Sequence, residues 1–169
     1  MEHPQTPETE LTPPREHQVL LEWWNKLQDN RGDRAELRRA ASIDQVMFNP
    51  AFHRLWRGLK GTSWQRAERV ALIAALAARI REHRAERSFA TQLGTPAKGR
   101  EKAAFSGLRF RRLLQAKDSA ELLKGCSRAI AMCDNKINLP NLAESVYWWG
   151  VGVQKRWAFD YYDANPKGD

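Results

Sequence analysis

The chain is poor in the features that build disulfide frameworks and membrane spans. It has two cysteines, Cys126 and Cys133, among 169 residues, which is typical of a reducing compartment, so we expect a cytoplasmic protein. They lie seven positions apart on one predicted helix, which is too far for a disulfide. The longest uncharged apolar run, 70–78, has nine residues, whereas a membrane-spanning helix needs about 20. The sequence therefore predicts no transmembrane helix and no contact with a membrane.

The chain also lacks the motifs of the common enzyme classes. Its four histidines are dispersed and have no Asp or Glu partners at ligand spacing. The sequence Gly150-Val-Gly152 has no third glycine, so it is not a dinucleotide fingerprint. A P-loop, a nucleophile elbow and the acidic cluster of a two-metal nuclease are also missing. We therefore expect no catalytic residue, no metal and no cofactor.

Sustained apolar/polar alternation and hairpin turn pairs are absent, which argues against a β protein. Apolar residues recur instead at helical spacing, and predicted N-caps (Asp33, Thr62, Ser106, Asp118 and Asn138) precede several of these segments. The fold is therefore predicted to be all-α. The predicted helices begin at Pro14 and continue at about 34–41, 50–59, from Thr62 to Arg84, 107–116, 119–133, 139–149 and 154–163.

The predicted helices fall into two small bundles joined by a basic linker. Residues 1–13 are acidic and Pro-rich, which predicts a disordered lead. Residues 14–87 form the N-terminal helical bundle, 88–104 the linker and 105–165 the C-terminal helical bundle. The run 70–78 is apolar on every side, so we expect it to be buried as the central helix of the N-terminal bundle.

Positive charge is concentrated in the middle of the chain. Residues 31–128 contain 22 Lys/Arg and 9 Asp/Glu, whereas the rest contains 6 Lys/Arg and 11 Asp/Glu. A single arginine is more often a solvated charge or the partner of a Glu, but nine acids cannot pair with 22 bases. We expect the unpaired guanidinium groups to gather into one continuous track for a polyanion, most commonly nucleic acid. The basic residues form four groups: Arg31, Arg34, Arg38 and Arg39; Arg54, Arg57, Lys60, Arg66 and Arg69; Lys98, Arg100 and Lys102; and Arg109, Arg111, Arg112 and Arg128.

The preference for arginine over lysine indicates contact with phosphates. A guanidinium binds phosphate through two hydrogen bonds and also stacks on bases. Such backbone contacts position a strand without reading its sequence. No helix-turn-helix or zinc-finger signature is present to supply base readout.

The chain contains seven tryptophans, most of which we expect to pack in the core because the side chain buries a large apolar area. Stacking on a base needs an exposed ring beside Arg or Lys. Of the seven, Trp56 and Trp64 lie in strongly basic stretches of the sequence.

Five segments between residues 20 and 162 resemble, in order and spacing, the motifs of CasB, the small subunit of the type I-E CRISPR surveillance complex Cascade. They are Gly32–Ala40 (GDRAELRRA), Pro50–Leu55 (PAFHRL), Phe105–Leu114 (FSGLRFRRLL), Asn138–Leu139 with Leu142–Ala143, and Trp148–Gly150 (WWG).

The resemblance implies a non-catalytic α-helical subunit that contacts nucleic acid in antiviral defence. Two copies of such a subunit lie in tandem and pack on the backbone subunits that carry the CRISPR RNA, near the large subunit. Their basic surface binds the displaced single strand of the target DNA and so stabilises the R-loop. The implied partners are a second copy, the Cascade backbone and large subunits, the ribonucleoprotein that contains the CRISPR RNA, and that strand.

The resemblance also matches particular residues. Arg39, Arg109 and Arg128 correspond to strand-contacting arginines, Arg66 is a further match, and Lys155 is nearest to the basic residue that relatives carry after Trp-Trp-Gly. Together with the basic groups above, this yields the nucleic-acid-binding candidates Arg34, Arg38, Arg39, Arg66, Arg69, Lys98, Arg100, Arg109, Arg112, Arg128 and Lys155.

Three other classes of protein stay open from the sequence. The first alternative is a stand-alone helical regulator that binds duplex DNA or RNA as a symmetric dimer. The second is a scaffold whose arginines meet acidic groups of other proteins. The third is an enzyme, which the missing motifs make the least favoured.

Overall fold

Residues 12–169 are described by a computed structural model. All but the last two residues of the predicted disordered lead, 1–13, lie outside the described residues. Residues 12–169 form ten helices and two short strands, in the order α1 (Arg15–Asp29), α2 (Arg31–Arg39), α3 (Ile43–Met47), α4 (Pro50–Gly58), α5 (Ala67–Ala77), β1 (Glu82–His83), α6 (Phe89–Gly94), α7 (Gly107–Leu114), α8 (Ser119–Met132), β2 (Lys136–Ile137), α9 (Leu139–Tyr147) and α10 (Val151–Ala164). The predicted all-α fold is confirmed.

The apolar helix α5 lies at the centre of the protein. Every side chain from Val70 to Ala78 is buried, because α5 packs against α2, α3, α4, α8 and α9. Its predicted burial is therefore confirmed, and its neighbours come from both predicted bundles. Within residues 12–169, none of the helices is long and apolar enough to cross a membrane.

The chain leaves helical geometry soon after α5, whereas the sequence predicts a helix to about Arg84. The backbone N–H of Arg81 donates to Asn135 O at 2.8 Å, and that of Arg84 donates to Ile137 O at 2.9 Å. Strands β1 and β2 consequently pair in parallel, with Glu82 opposite Lys136. These partners lie more than 50 residues away in the chain, so the spacing of nearby residues cannot indicate them.

The predicted linker contains a helix. The sequence predicts a linker over 88–104, but α6 forms within it, with Phe89, Ala90 and Leu93 buried. Helix α6 packs on α10 so closely that a Cβ at Gly94 would lie 2.4 Å from Tyr161 O. The division of the chain into two bundles joined over 88–104 stays a prediction.

Helix starts in the second half of the chain follow the predicted capping residues. Ser106, Asp118 and Asn138 each accept a hydrogen bond from a backbone N–H in the first turn of α7, α8 and α9. Two other predicted caps are wrong. Helix α2 begins earlier and is capped by Asn30, and α5 begins later, after Arg66, because Thr62 and Gln65 bond within the preceding turn.

Candidate nucleic-acid interface

Few basic side chains of residues 31–128 pair with a carboxylate. Among the described residues, Arg54 pairs with Asp33 and Arg84 with Glu82, and the other two ion pairs involve His17 and Lys136, outside this range. Two of the 22 bases are therefore engaged in this way. The positive charge is not cancelled locally, as a site for polyanions requires.

Helices α7 and α8 border a groove of about 410 Å³ lined by basic side chains. On α7, Phe110 and Leu113 are buried, and Phe110 stacks on Tyr161 with ring centroids 3.9 Å apart. This packing leaves Arg109 and Arg112, three residues apart, on the exposed side of the helix. Helix α8 adds Lys124 and Arg128, and Lys117 comes from the connection between the two helices.

The two helices approach closely at the base of the groove. A Cβ at Gly125 on α8 would lie 2.6 Å from Leu113 Cδ1 on α7. A larger residue at Gly125 would therefore force Leu113 to move. The two helices that carry the basic residues are held side by side by this contact.

The groove holds five cationic side chains and one carboxylate. The carboxylate belongs to Glu121, whose Oε2 accepts a hydrogen bond from the Lys117 backbone N–H at 2.6 Å. Among residues 12–169, no side-chain hydrogen bond or ion pair engages Arg109, Arg112, Lys124 or Arg128. These four side chains are exposed, so their charges are available to a ligand.

A second group of arginines binds the protein's own backbone at the C-terminal end of α5. Arg34 Nε donates to Ala78 O at 3.1 Å. Arg79 donates from Nη1 to Ala75 O and from Nη2 to Arg38 O, the latter at 2.8 Å. Cations are favourable at this end of a helix, where carbonyl groups lack intrahelical partners. Burial lowers the pKa of Arg34 and of Arg79, and the charge of Arg38 lowers each further.

The other candidates do not line the groove. Arg66 precedes α5, where its backbone N–H donates to the Tyr147 hydroxyl at 3.1 Å, and Arg69 is half-buried on α5. Arg34 contacts the opposite end of that helix, roughly 16 Å away at the usual helical rise. The remaining exposed candidates are Arg38 and Arg39 on α2, Lys98 and Arg100 in the loop after α6, and Lys155 on α10.

Of the eleven candidates, the structure therefore brings Arg109, Arg112 and Arg128 together in one groove. One continuous track through all of them stays a prediction. Lys117 and Lys124 line the same groove but are not among the sequence-based candidates. The spacing of Lys124 and Arg128, four residues apart on a predicted helix, was a usable signal.

The two tryptophans in basic stretches are not exposed. Trp64 is fully buried and stacks on Tyr147, with ring centroids 5.5 Å apart, and Trp56 is half-buried beside Phe52. Neither ring is therefore open for a base in this structure.

The described residues do not gather metal-ligating side chains. Within 12–169, no three His, Cys, Asp or Glu side chains are placed to hold a metal ion. Both cysteines are free thiols, and burial raises the pKa of Cys133 to about 12. Neither thiol is therefore set up as a thiolate nucleophile at neutral pH.

Residues 33–162 match the family model of the CRISPR-associated protein Cse2. The chain belongs to the Cse2 family, which is the CasB family. This confirms the resemblance seen in the sequence motifs. No curated protein sequence matches the chain.

Two solved structures share the Cse2-family fold. CasB from Thermus thermophilus has 25% identity and a TM-score of 0.66, over 90% of this chain and 100% of that one. A chain of E. coli Cascade bound to a PAM-containing dsDNA target has 21% identity and a TM-score of 0.65, over 89% of this chain and 96% of that one. The two solved structures therefore agree with the fold expected of a Cse2-family chain.

The family motif Phe105–Leu114 coincides with one wall of the basic groove. Ser106 caps α7, Phe110 and Leu113 anchor it, and Arg109 and Arg112 face outward. In this Cse2-family chain, the motif therefore combines helix capping, core packing and surface charge in ten residues.

Proposed function

We propose that this protein is a non-catalytic small subunit of a type I-E Cascade complex and that its α7–α8 groove binds the displaced strand of the target DNA. The observation that carries the proposal is the groove itself, with five cations and a single carboxylate that is engaged by the backbone. Arginine and lysine on a concave surface suit the regular phosphates of a strand.

The proposed mechanism is electrostatic. R-loop formation exchanges a DNA duplex for an RNA–DNA duplex of similar stability, so small contributions shift the balance. Strand binding worth about 1.4 kcal/mol shifts that equilibrium about tenfold. Each phosphate bound by the groove also releases counterions, which adds about 0.7 to the salt slope on a single strand. Reannealing of the target is then disfavoured without any chemical step in this subunit.

The partners follow from the same role. The protein would pack on the Cascade backbone subunits that carry the CRISPR RNA, near the large subunit and beside a second copy of itself. The other candidates, among them Arg39, Arg66, Lys98, Arg100 and Lys155, would then contact either the strand or these partner subunits. A cytoplasmic location stays a prediction.

The test is charge reversal in the groove of the assembled complex. Arg109→Glu with Arg128→Glu should shorten the lifetime of the R-loop about tenfold or more at physiological salt, because two attractions become repulsions. R-loop lifetime is measured by competition with a reannealing strand, and assembly by size-exclusion chromatography with the partner subunits.

The matched control is Arg15→Glu with Lys26→Glu, which changes the net charge equally on exposed positions of α1. Assembly should be intact in both variants, and the control should keep the wild-type lifetime. Equal lifetimes for wild type, groove variant and control would contradict the proposed function.

A further inference from the structure

Trp148 differs from the other tryptophans in its exposure. All seven lie within the described residues, and Trp148 is the one whose side chain is exposed, at 51%. The indole N–H groups of Trp23, Trp24 and Trp149 donate to backbone carbonyls. Trp64 and Trp157 are buried. Packing therefore explains these rings but not Trp148.

Trp148 lies in a groove of about 540 Å³ between the end of α9 and the start of α10. Its ring meets Tyr147 edge to face, with centroids 4.8 Å apart and planes at 73°. This contact supports the ring from one side. A Cβ at Gly152, which also lines the groove, would meet nothing within 4 Å. The groove that the ring lines is therefore open at Gly152.

The charge that the groove leaves open to a ligand is positive. Arg156 lines the groove, is exposed on α10 and forms no ion pair with any described residue. The one carboxylate of the groove, Glu144, accepts a hydrogen bond from His17 Nε2 at 2.8 Å. Asn141, Ser145, Gly152 and Val153 complete the lining, and Trp148 is its one exposed large apolar side chain. A protein-docking cleft, in contrast, is centred on several apolar anchors.

We propose that an unpaired nucleobase stacks on Trp148 while Arg156 contacts the adjoining phosphate. The inference rests on the proposed function, since the ligand is a single strand, and it adds a second contact of a different kind. Stacking on an aromatic ring works for every base, because every base has a π-face. A base within a duplex cannot reach the ring, so this contact distinguishes single from double strands.

The experiment uses the full chain, a single-stranded DNA oligonucleotide, the same strand with abasic sites, and the corresponding duplex. Trp148→Ala should weaken binding to the intact single strand about tenfold, the usual size of one lost base stack. The same variant should bind the abasic strand and the duplex as the wild type does. Trp148→Phe should retain most of the affinity, because a smaller aromatic ring still stacks.

Phe159→Ala is the matched control. Phe159, on α10, is an aromatic residue that is exposed like Trp148, at 71%, but it does not line the groove. Equal affinities of wild type and Trp148→Ala for the intact strand would overturn the inference. An equal loss of affinity for the abasic strand would also overturn it. If Trp148→Ala impaired only assembly with partner subunits, Trp148 would be assigned to a protein contact and the inference would be overturned.

The variant of the α7–α8 groove, Arg109→Glu with Arg128→Glu, separates this inference from the proposed function. If that variant weakens strand binding and Trp148→Ala does not, stacking fails while the proposed function stands. If Trp148→Ala weakens binding and the α7–α8 groove variant does not, the proposed function fails. No binding of any strand by the wild type would overturn both.

Discussion

Arginines at the C-terminal end of α5 and arginines in the α7–α8 groove carry the same charge but have different partners. Arg34 and Arg79 donate to backbone carbonyls of Ala75, Ala78 and Arg38. Among the described residues, no carbonyl or carboxylate engages the side chains of the groove arginines Arg109, Arg112 and Arg128.

The difference comes from what surrounds each group. The end of a buried helix presents carbonyls that need donors, and a nearby guanidinium supplies several. The groove lies beside the exposed sides of α7 and α8, where the carbonyls are satisfied within the helices. Basic residues at a helix end thus stabilise the fold, whereas basic residues on helix faces remain free for a ligand.

The largest difference between the two regions should appear in folding stability. Arg79→Met removes a guanidinium that serves two carbonyls, and we expect it to lower the free energy of unfolding by about 2 kcal/mol. Arg112→Met on the exposed face of α7 should change it by less than about 0.5 kcal/mol. Denaturant unfolding of the two variants measures both values. Similar losses would show that the groove arginines also hold the fold together.

A smaller effect is expected for strand binding, where the groove arginines should matter and the arginines at the end of α5 should not. Arg112→Gln should weaken binding to single-stranded DNA about threefold and lower the salt slope by about 0.7, as for one lost phosphate contact. Arg34→Gln should leave the salt slope unchanged, because Ala78 already engages Arg34. Titrations at several salt concentrations give the slopes. A reduced slope for Arg34→Gln would place the end of α5 in the interface.

The smallest expected difference between the two regions is in how folding stability and strand binding depend on pH. His83, in the strand that follows α5, accepts a hydrogen bond from the Leu139 N–H through Nδ1, and burial lowers its pKa below the ordinary value. The unfolded chain then binds more protons than the folded chain near pH 6. The contribution of His83 to folding stability is therefore fully present above about pH 6.5 and is lost as the pH falls below that value.

His83→Gln should flatten this loss of stability in denaturant unfolding at pH 7.5 and pH 5.5. Strand binding by the groove should change little over the same range, because lysine and arginine stay charged. An unchanged pH dependence in His83→Gln would assign it to another group.

The sequence-based predictions of helices were accurate where they depend on residues that are close together in the chain. The caps Ser106, Asp118 and Asn138 and the burial of 70–78 are confirmed because a side chain bonds its own first turn and a wholly apolar helix must be covered. The strand pair and α6 were missed because their partners are distant in the chain: Asn135 and Ile137 for the strands, and α10 for α6.

For the candidate site, the sequence identified the excess of positive charge and three of the groove residues, but it could not separate free arginines from engaged ones. It noted that Trp56 and Trp64 lie in basic stretches, because it shows which charges neighbour a ring but not whether the ring is buried. Trp148 becomes distinct when the packing is known.

Composition and local pattern were therefore sufficient for the helical class, several helix starts, the basic character and the family. The tertiary structure decided which cations meet each other in a groove and which meet carbonyls. It also decided which tryptophan faces solvent. The physical reason is that charge and amphipathicity belong to single residues and short segments, whereas availability to a ligand depends on what the rest of the chain places next to them.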